Sequence, residues 1–357
     1  MTGFSMDPAG LNGLYNQLVR ASDDAHDTLD YTRRQCDLDW NAEGLLMILL
    51  GPHEHAYANV TGALQRLREL AQETGTAVNA TQNDYLRTDR AVAARLDAAR
   101  PATDKPDPVR VPLGPARPDP GSRPAGFADV AEPTRFLTAP EYAAPIEMWS
   151  MNPLEDLLSP AAWLRQIAVW VFGHDPFEGW AKQFSGDWSA YVHCGAALGR
   201  VGAAVHDIGR NLVAGAAEVG TVWTGDAADR EQEYQVALGS AAVGMQAACA
   251  EYSSLYAQAA QATKSLFDVA GDLIGNLLDL LIIINAAAAV GTAMVETGFG
   301  AIAGYGIAAY YAVQAYELYQ KIARCYSVAD DMIKAIGATI GSVRAGLAVR
   351  DLPALPR

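Results

Sequence analysis

From residue 182 to residue 270, apolar side chains recur every three or four residues, and a single short segment interrupts them. Phe184, Trp188, Tyr191, Leu198, Val201, Val205, Ile208, Leu212 and Val219 trace a first seam. Tyr234, Leu238, Ala241, Met245, Ala248, Tyr252, Leu255, Ala259, Ala262 and Leu266 trace a second. That spacing marks one face of an α-helix, whereas a half-buried strand would alternate with period two. An arm of about 36 residues spans roughly 54 Å at 1.5 Å per residue. Each large apolar side chain buried along it contributes about 1.5–3 kcal/mol. The two arms therefore specify their own antiparallel pairing.

The interruption is Trp223-Thr224-Gly225-Asp226-Ala227-Ala228-Asp229. Gly225 can adopt the left-handed backbone that ends a helix. Asp226 is then placed to cap the next helix, and Asp229 in its first turn favours the positive end of the dipole. Trp223 supplies a large apolar plug at the tip.

The remaining composition agrees with helices. Hydrophobic residues make up 50% of the chain and aromatics only 8%, and alanine, which enters helices without side-chain entropy loss, is abundant. We expect an all-α fold of long antiparallel hairpins, resembling a four-helix bundle. The net charge is −15, with no basic stripe to neutralise phosphates, which excludes a nucleic-acid partner. Cys36, Cys194, Cys249 and Cys325 have no metal-ligand spacing and read as small core residues, with a Cys194–Cys249 bridge left open. The N-terminus lacks a basic segment followed by an apolar one, so export would need a route without a cleavable signal peptide.

The chain divides into five regions. Residues 1–100 read as a first helical hairpin. Asp7-Pro8 is a capped start, Leu11, Leu14, Leu18, Ala21, Ala25 and Leu29 form one seam, and Val60, Ala63, Leu67, Leu70, Thr74, Ala77 and Thr81 form the returning one. Gly44 and Gly51-Pro52 mark the break between them. Residues 101–148 are an extended linker, with nine prolines between Pro101 and Pro133. Residues 149–181 hold Trp149, Trp163, Trp170 and Trp180. There Ser159-Pro160 looks like the start of a short helix that docks on the next hairpin. The Trp-x-Gly hairpin occupies 182–270, and apolar helices occupy 271–350.

These residues resemble the WXG (ESAT-like) family of substrates of type VII (ESX) secretion systems in actinobacteria and firmicutes. The resemblance covers 182–270 and, more loosely, 1–100. In that family the Trp-x-Gly turn pairs with a Tyr-x-x-x-Asp/Glu motif beyond the second helix, and together they form the export signal. This chain has Tyr85-Leu86-Arg87-Thr88-Asp89 near the end of its first hairpin, with Tyr85 and Asp89 on one helix face. The first hairpin carries Trp40 and Gly44 with three residues between them, a weaker version of the turn. The second has Trp223 and Gly225, but neither Tyr252 nor Tyr256 is followed by an acid four positions on. The chain is thus similar either to two diverged hairpins in tandem or to a PE/PPE pair fused in one polypeptide. The complementary half-signals favour the fused pair. The resemblance implies a secreted or cell-surface, non-enzymatic interaction protein. Its partners would be the secretion machinery or a small Trp-x-Gly protein, with self-association through helix faces as a further option. Since the chain ends at Arg357, soon after its last helix, we expect no C-terminal toxin domain of the kind that larger relatives carry.

Residues 280–295 carry no charge, nor do 297–316 after Glu296. Gly300 and Gly304 form a small-xxx-small face in the second run. Two arrangements fit: a membrane-inserting helical pair like that of channel-forming toxins, or a buried pair packed on the long hairpin. The short, alanine-rich first run and Glu296 beside a tight turn favour burial. No nucleophile elbow, phosphate loop or zinc-protease motif is present, so neither enzyme activity nor a cofactor is expected. His53-Glu54-His55 reads as an exposed polar loop, not a metal site. Cys194 beside His193 points to a different side of its helix, so the two form no catalytic pair.

Overall fold

The computed structural model describes residues 5–37, 44–98, 126–140, 160–184, 188–293, 299–343 and 348–352. Strand β1 (Ser5–Met6) precedes helices α1 (Pro8–Cys36) and α2 (Met47–Ala98). Two short helices come next, α3 (Ala162–Phe172) and α4 (Pro176–Phe184). Then come α5 (Trp188–Val222), strand β2 (Trp223–Thr224), α6 (Asp226–Ala293) and α7 (Phe299–Ser342). The fold is all-α, and its only described sheet is the two-residue pairing of β1 with β2. The long helices close a ring in which α1 packs on α2, α2 on α7, α7 on α6, α6 on α5 and α5 on α1. The two expected hairpins therefore share one core.

Helix α1 starts as its sequence requires: the Asp7 carboxylate accepts from the Ala9 N–H at 3.0 Å, and Pro8 takes the first position. All six apolar residues of its seam are buried. The break between α1 and α2 falls earlier than Gly51-Pro52. Helix α2 already begins at Met47 and carries Pro52 inside it. Proline so close to a helix start removes a single hydrogen bond. Its ring packs against α7, where a Cβ on Gly337 would lie 3.2 Å from Pro52 Cγ.

The pairing of α5 with α6 is close enough to bring backbones together. Gly195, Gly202 and Gly209 stand seven residues apart on α5 and face Tyr256, Cys249 and Gly239 of α6. A Cβ on Gly202 would lie 2.8 Å from Cys249 Cβ, and one on Gly209 would lie 2.7 Å from the Val243 nitrogen. Each facing pair lies nearly the same distance along the chain on either side of Gly225, so the turn and the glycine row describe one antiparallel register. A seven-residue repeat keeps those glycines on one seam.

The expected boundary at residue 270 lies inside α6, which continues unbroken from Asp226 to Ala293. The expected burial of the C-terminal apolar pair is corrected as well. Helix α7 returns along α6, and Gly304 meets Gly291, its added Cβ falling 2.5 Å from the Gly291 Cα. Yet the most apolar 18-residue stretch of α6, with mean hydropathy 2.1, is only 22% buried. The two helices cover each other along one small-residue seam and little else. Gly300 lies in the first turn of α7, so the facing glycine is Gly291 and not a second position of Gly300-x-x-x-Gly304.

The described part of the expected linker, 126–140, is extended and docked. Asn211 of α5 accepts from the Val130 and Ala131 N–H groups at 2.9 and 3.0 Å and donates to the Ala131 carbonyl at 2.9 Å. Arg20 of α1 grips Asp129 with two nitrogens, and Tyr31 donates to the Thr138 carbonyl at 2.9 Å. The strap thus spans α1 and α5. Of the tryptophans expected to dock, Trp180 is buried, Trp163 and Trp170 are exposed, and Trp149 lies outside the described residues. Helix α3 is preceded by Ala161 at its N-cap with no side-chain bond, one residue later than Ser159-Pro160 implied.

If backbone contact sets the α5–α6 spacing, a single methyl is enough to disturb it. Gly209→Ala should cost about 1–3 kcal/mol by overpacking. Gly275→Ala, on α6 with nothing within 4 Å of its added Cβ, should be neutral or gain up to about 1 kcal/mol of helix propensity. Urea unfolding of both variants checks this, and equal midpoints would contradict it.

Candidate functional site

The Trp-x-Gly turn sits where four chain segments meet. Helix α5 ends at Val222, and Trp223 and Thr224 pair as β2 with Met6 and Ser5. The Asp7 N–H extends that pairing to the Val222 carbonyl at 2.8 Å. Gly225 then turns with φ +115°, a conformation side chains rarely adopt. Its carbonyl accepts the Asp229 N–H at 3.0 Å, so Gly225 takes the cap position expected of Asp226. Asp226 and Asp229 both lie in the first turn of α6, where negative charge meets the helix dipole.

Trp223 is 3% exposed. Tyr85 of α2 packs against it edge-to-face, with ring centroids 6.5 Å apart and planes at 70°, a geometry favoured by the aromatic quadrupole. Helix α2 is held beside the start of α1 by Gln82, whose amide donates to the Pro8 carbonyl at 2.9 Å. The two residues singled out in separate hairpins are thus brought into one contact. Asp89, one turn beyond Tyr85, is exposed. With Asp84, Asp226 and Asp229 it makes the outer surface of this end largely acidic. The buried indole N–H of Trp223 has no hydrogen-bond partner among the described residues.

The other expected positions fall elsewhere. Trp40 lies outside the described residues. Gly44 has φ +62° and presses on the backbone of Lys182 and Gln183 at the end of α4. It supports the core at the opposite end of α1, away from Tyr85. Gly304 belongs to the α6–α7 seam. Ser5, Met6 and Gln82 complete the Trp223 end, and no periodic signal marks a two-residue strand or a lone glutamine.

His53 is not in an exposed loop. It is buried in α2, its Nδ1 2.6 Å from the Tyr256 hydroxyl and its Nε2 3.1 Å from the Cys36 carbonyl. The Cys36 thiol donates to the Cys194 carbonyl at 3.6 Å, and Tyr191 stacks on Tyr256 with centroids 4.3 Å apart. Cys36, Cys194 and Cys249 are buried free thiols and Cys325 is a half-buried one, so the Cys194–Cys249 bridge is not formed. Burial pulls His53 down to about 4 and pushes Cys249 up to about 12 and Cys194 well above its ordinary value. These groups are held neutral, so the cluster lacks the thiolate that nucleophilic or metal chemistry needs. No group of three or more potential metal ligands occurs among the described residues.

Comparison of the chain with protein-family models, with curated proteins and with solved structures returned no match.

One titrating group lies close in sequence to the Trp223 turn. Glu231, in the second turn of α6, is 1% exposed and its carboxylate has no hydrogen-bond partner. Burial pushes its pKa up to about 8. The folded state therefore keeps a proton that the unfolded chain gives up, and stability falls as pH rises from the ordinary carboxylate range through about 8. Glu231→Gln should match wild type near pH 4.5 and become more stable by about 1.4 kcal/mol per pH unit at most as pH rises toward 8. Unfolding curves across that range check it, and a constant difference between the two proteins would refute it.

Proposed function

We propose that this chain is a non-enzymatic helical interaction protein exported by a type VII secretion system, with Trp223, Gly225, Tyr85 and Asp89 as its recognition signal. The observation that carries the reading is the edge-to-face contact of Tyr85 with Trp223. Half-signals from two hairpins, separated by a proline-rich linker, lie side by side at one end of the molecule. Trp223 and Gly225 build the turn from inside, while Asp89 offers an exposed carboxylate to a partner. A receptor in the secretion machinery or a small Trp-x-Gly protein would read that composite end. Asp89 is the cleanest probe, because changing an exposed residue leaves packing intact. In the native host, Asp89→Ala and Tyr85→Ala should accumulate in cells and be depleted from the medium relative to wild type. Equal secretion of Asp89→Ala and wild type would overturn the assignment.

A second reading is favoured by one observation, the low burial of the apolar stretch in α6. Here the α6–α7 end of the molecule associates with a lipid bilayer. Ile302 is 77% exposed and Ile307 is 50% exposed, a cost in water that lipid would relieve. Wild type should float with phosphatidylcholine vesicles in a density gradient, and Ile302→Asp/Ile307→Asp should not. Wild type remaining at the bottom of the gradient would end this reading.

A further inference from the structure

The α6–α7 pair has a geometry that limits how it can meet a membrane. The facing of Gly291 and Gly304 sets its register. Counting outward from that contact along both antiparallel helices places Asp279 of α6 level with Tyr316 and Glu317 of α7. Both charge-free runs therefore end at the same height. Beyond that level, α6 contributes only the residues from Leu280 to Ala293, about 21 Å at 1.5 Å per residue. The hydrocarbon core of a bilayer is about 30 Å thick, and an apolar helix of 10–14 residues suits a re-entrant segment better than a span.

Exposure decides what surrounds this end. On α7, Tyr305, Ile302, Val313, Tyr310 and Ile307 are all exposed, and at about 100° per residue they cover roughly 200° of the helix circumference. On α6, Ile282, Ile283 and Val290 are exposed on the outward side. A protein partner covers one face of such a ridge, whereas lipid covers all of it. Polar groups within the ridge turn inward: the Thr292 hydroxyl donates to the Ala288 carbonyl at 2.9 Å and lies 3.2 Å from the Tyr305 hydroxyl. At the base, Phe172 of α3 stacks on Tyr319 at 5.1 Å. That contact sets Trp170, 65% exposed, beside Tyr316 at the level where charge begins. Aromatic side chains with one apolar and one polar end favour the lipid–water boundary.

We propose that the α6–α7 end enters a bilayer tip-first as a re-entrant helical pair, with Trp170 and Tyr316 at the headgroup level and its tip short of the far side. The proposal rests on the bilayer reading above. Asp279 and Glu317 stop deeper entry, because each would have to leave water. The same two acids make a zwitterionic surface a better host than an anionic one.

Depth of a probe separates this topology from the others. In a Cys325→Ser background, where the three remaining cysteines are buried, an environment-sensitive dye is attached at Ile302→Cys or Val313→Cys of the full chain. Flotation with phosphatidylcholine vesicles is read first. Failure to float, with or without a dimer in solution, removes the bilayer reading itself. For protein that floats, the 302 dye should be shielded from an aqueous quencher on either side of the vesicle. It should also be quenched by lipids labelled deep in the acyl chain, while the 313 dye responds to shallow labels. Loss of the 302 signal to a quencher trapped in the lumen would mean a full crossing, and equal shallow depths would mean a pair lying flat. Either result overturns the re-entrant topology while leaving bilayer association intact.

Discussion

The near-contact of two backbones along α5 and α6 organises everything else. Gly195, Gly202 and Gly209 remove the side chains that would hold the helices apart. The apolar seams then interlock at short range, where dispersion and burial are strongest. Because the row repeats every seven residues, the two helices can stay together over the full length of α5. That rod pair is the surface on which α1, the strap 126–140 and α7 assemble. Asn211, on the same helix as the glycine row, satisfies three backbone groups of the strap through one side chain.

Much of this was legible because period 3.6 is a strong signal over long segments. Both arms of the second hairpin, the start of α1 at Asp7-Pro8 and the Gly225 turn arise from local spacing and capping chemistry. The glycine row was equally present in the sequence, spaced at seven, but glycine carries no hydrophobicity and so drops out of an apolar count. Gly51-Pro52 looked like a break because proline usually stops a helix, and only α7 packing on Pro52 explains why it does not here. The continuity of α6 past residue 270 was hidden by a change of composition with no change of conformation. Neither the strap nor the β1–β2 pairing has a periodic trace, since each depends on a few side chains far apart in sequence.

Tyr85 meeting Trp223 is a different kind of result. Each residue was singled out within its own segment, and their proximity depends on how α2 lies beside the start of α1. Gln82 and the Asp7–Val222 bond hold that arrangement, and both involve backbone carbonyls that no sequence pattern advertises. The indole is buried, and a partner meets instead the acidic rim of Asp84, Asp89, Asp226 and Asp229. Recognition of this end would therefore draw on charge and on the shape of the turn more than on exposed apolar area.

Helix α6 links the two proposed activities by keeping them apart. It runs from Asp226 beside the turn to Ala293 in the apolar ridge, a rod of about 100 Å at 1.5 Å per residue. Its first part is buried among α5 and α1 and carries the charges of a soluble bundle. Its last part leaves that bundle with only α7 for cover. A helix of that length cannot fold back on itself, so the acidic turn and the apolar ridge point away from each other. Engagement of one end by a secretion partner then leaves the other sterically free. The same separation keeps the exposed isoleucines away from the apolar core of a second hairpin in this chain, which would otherwise be their nearest place to hide.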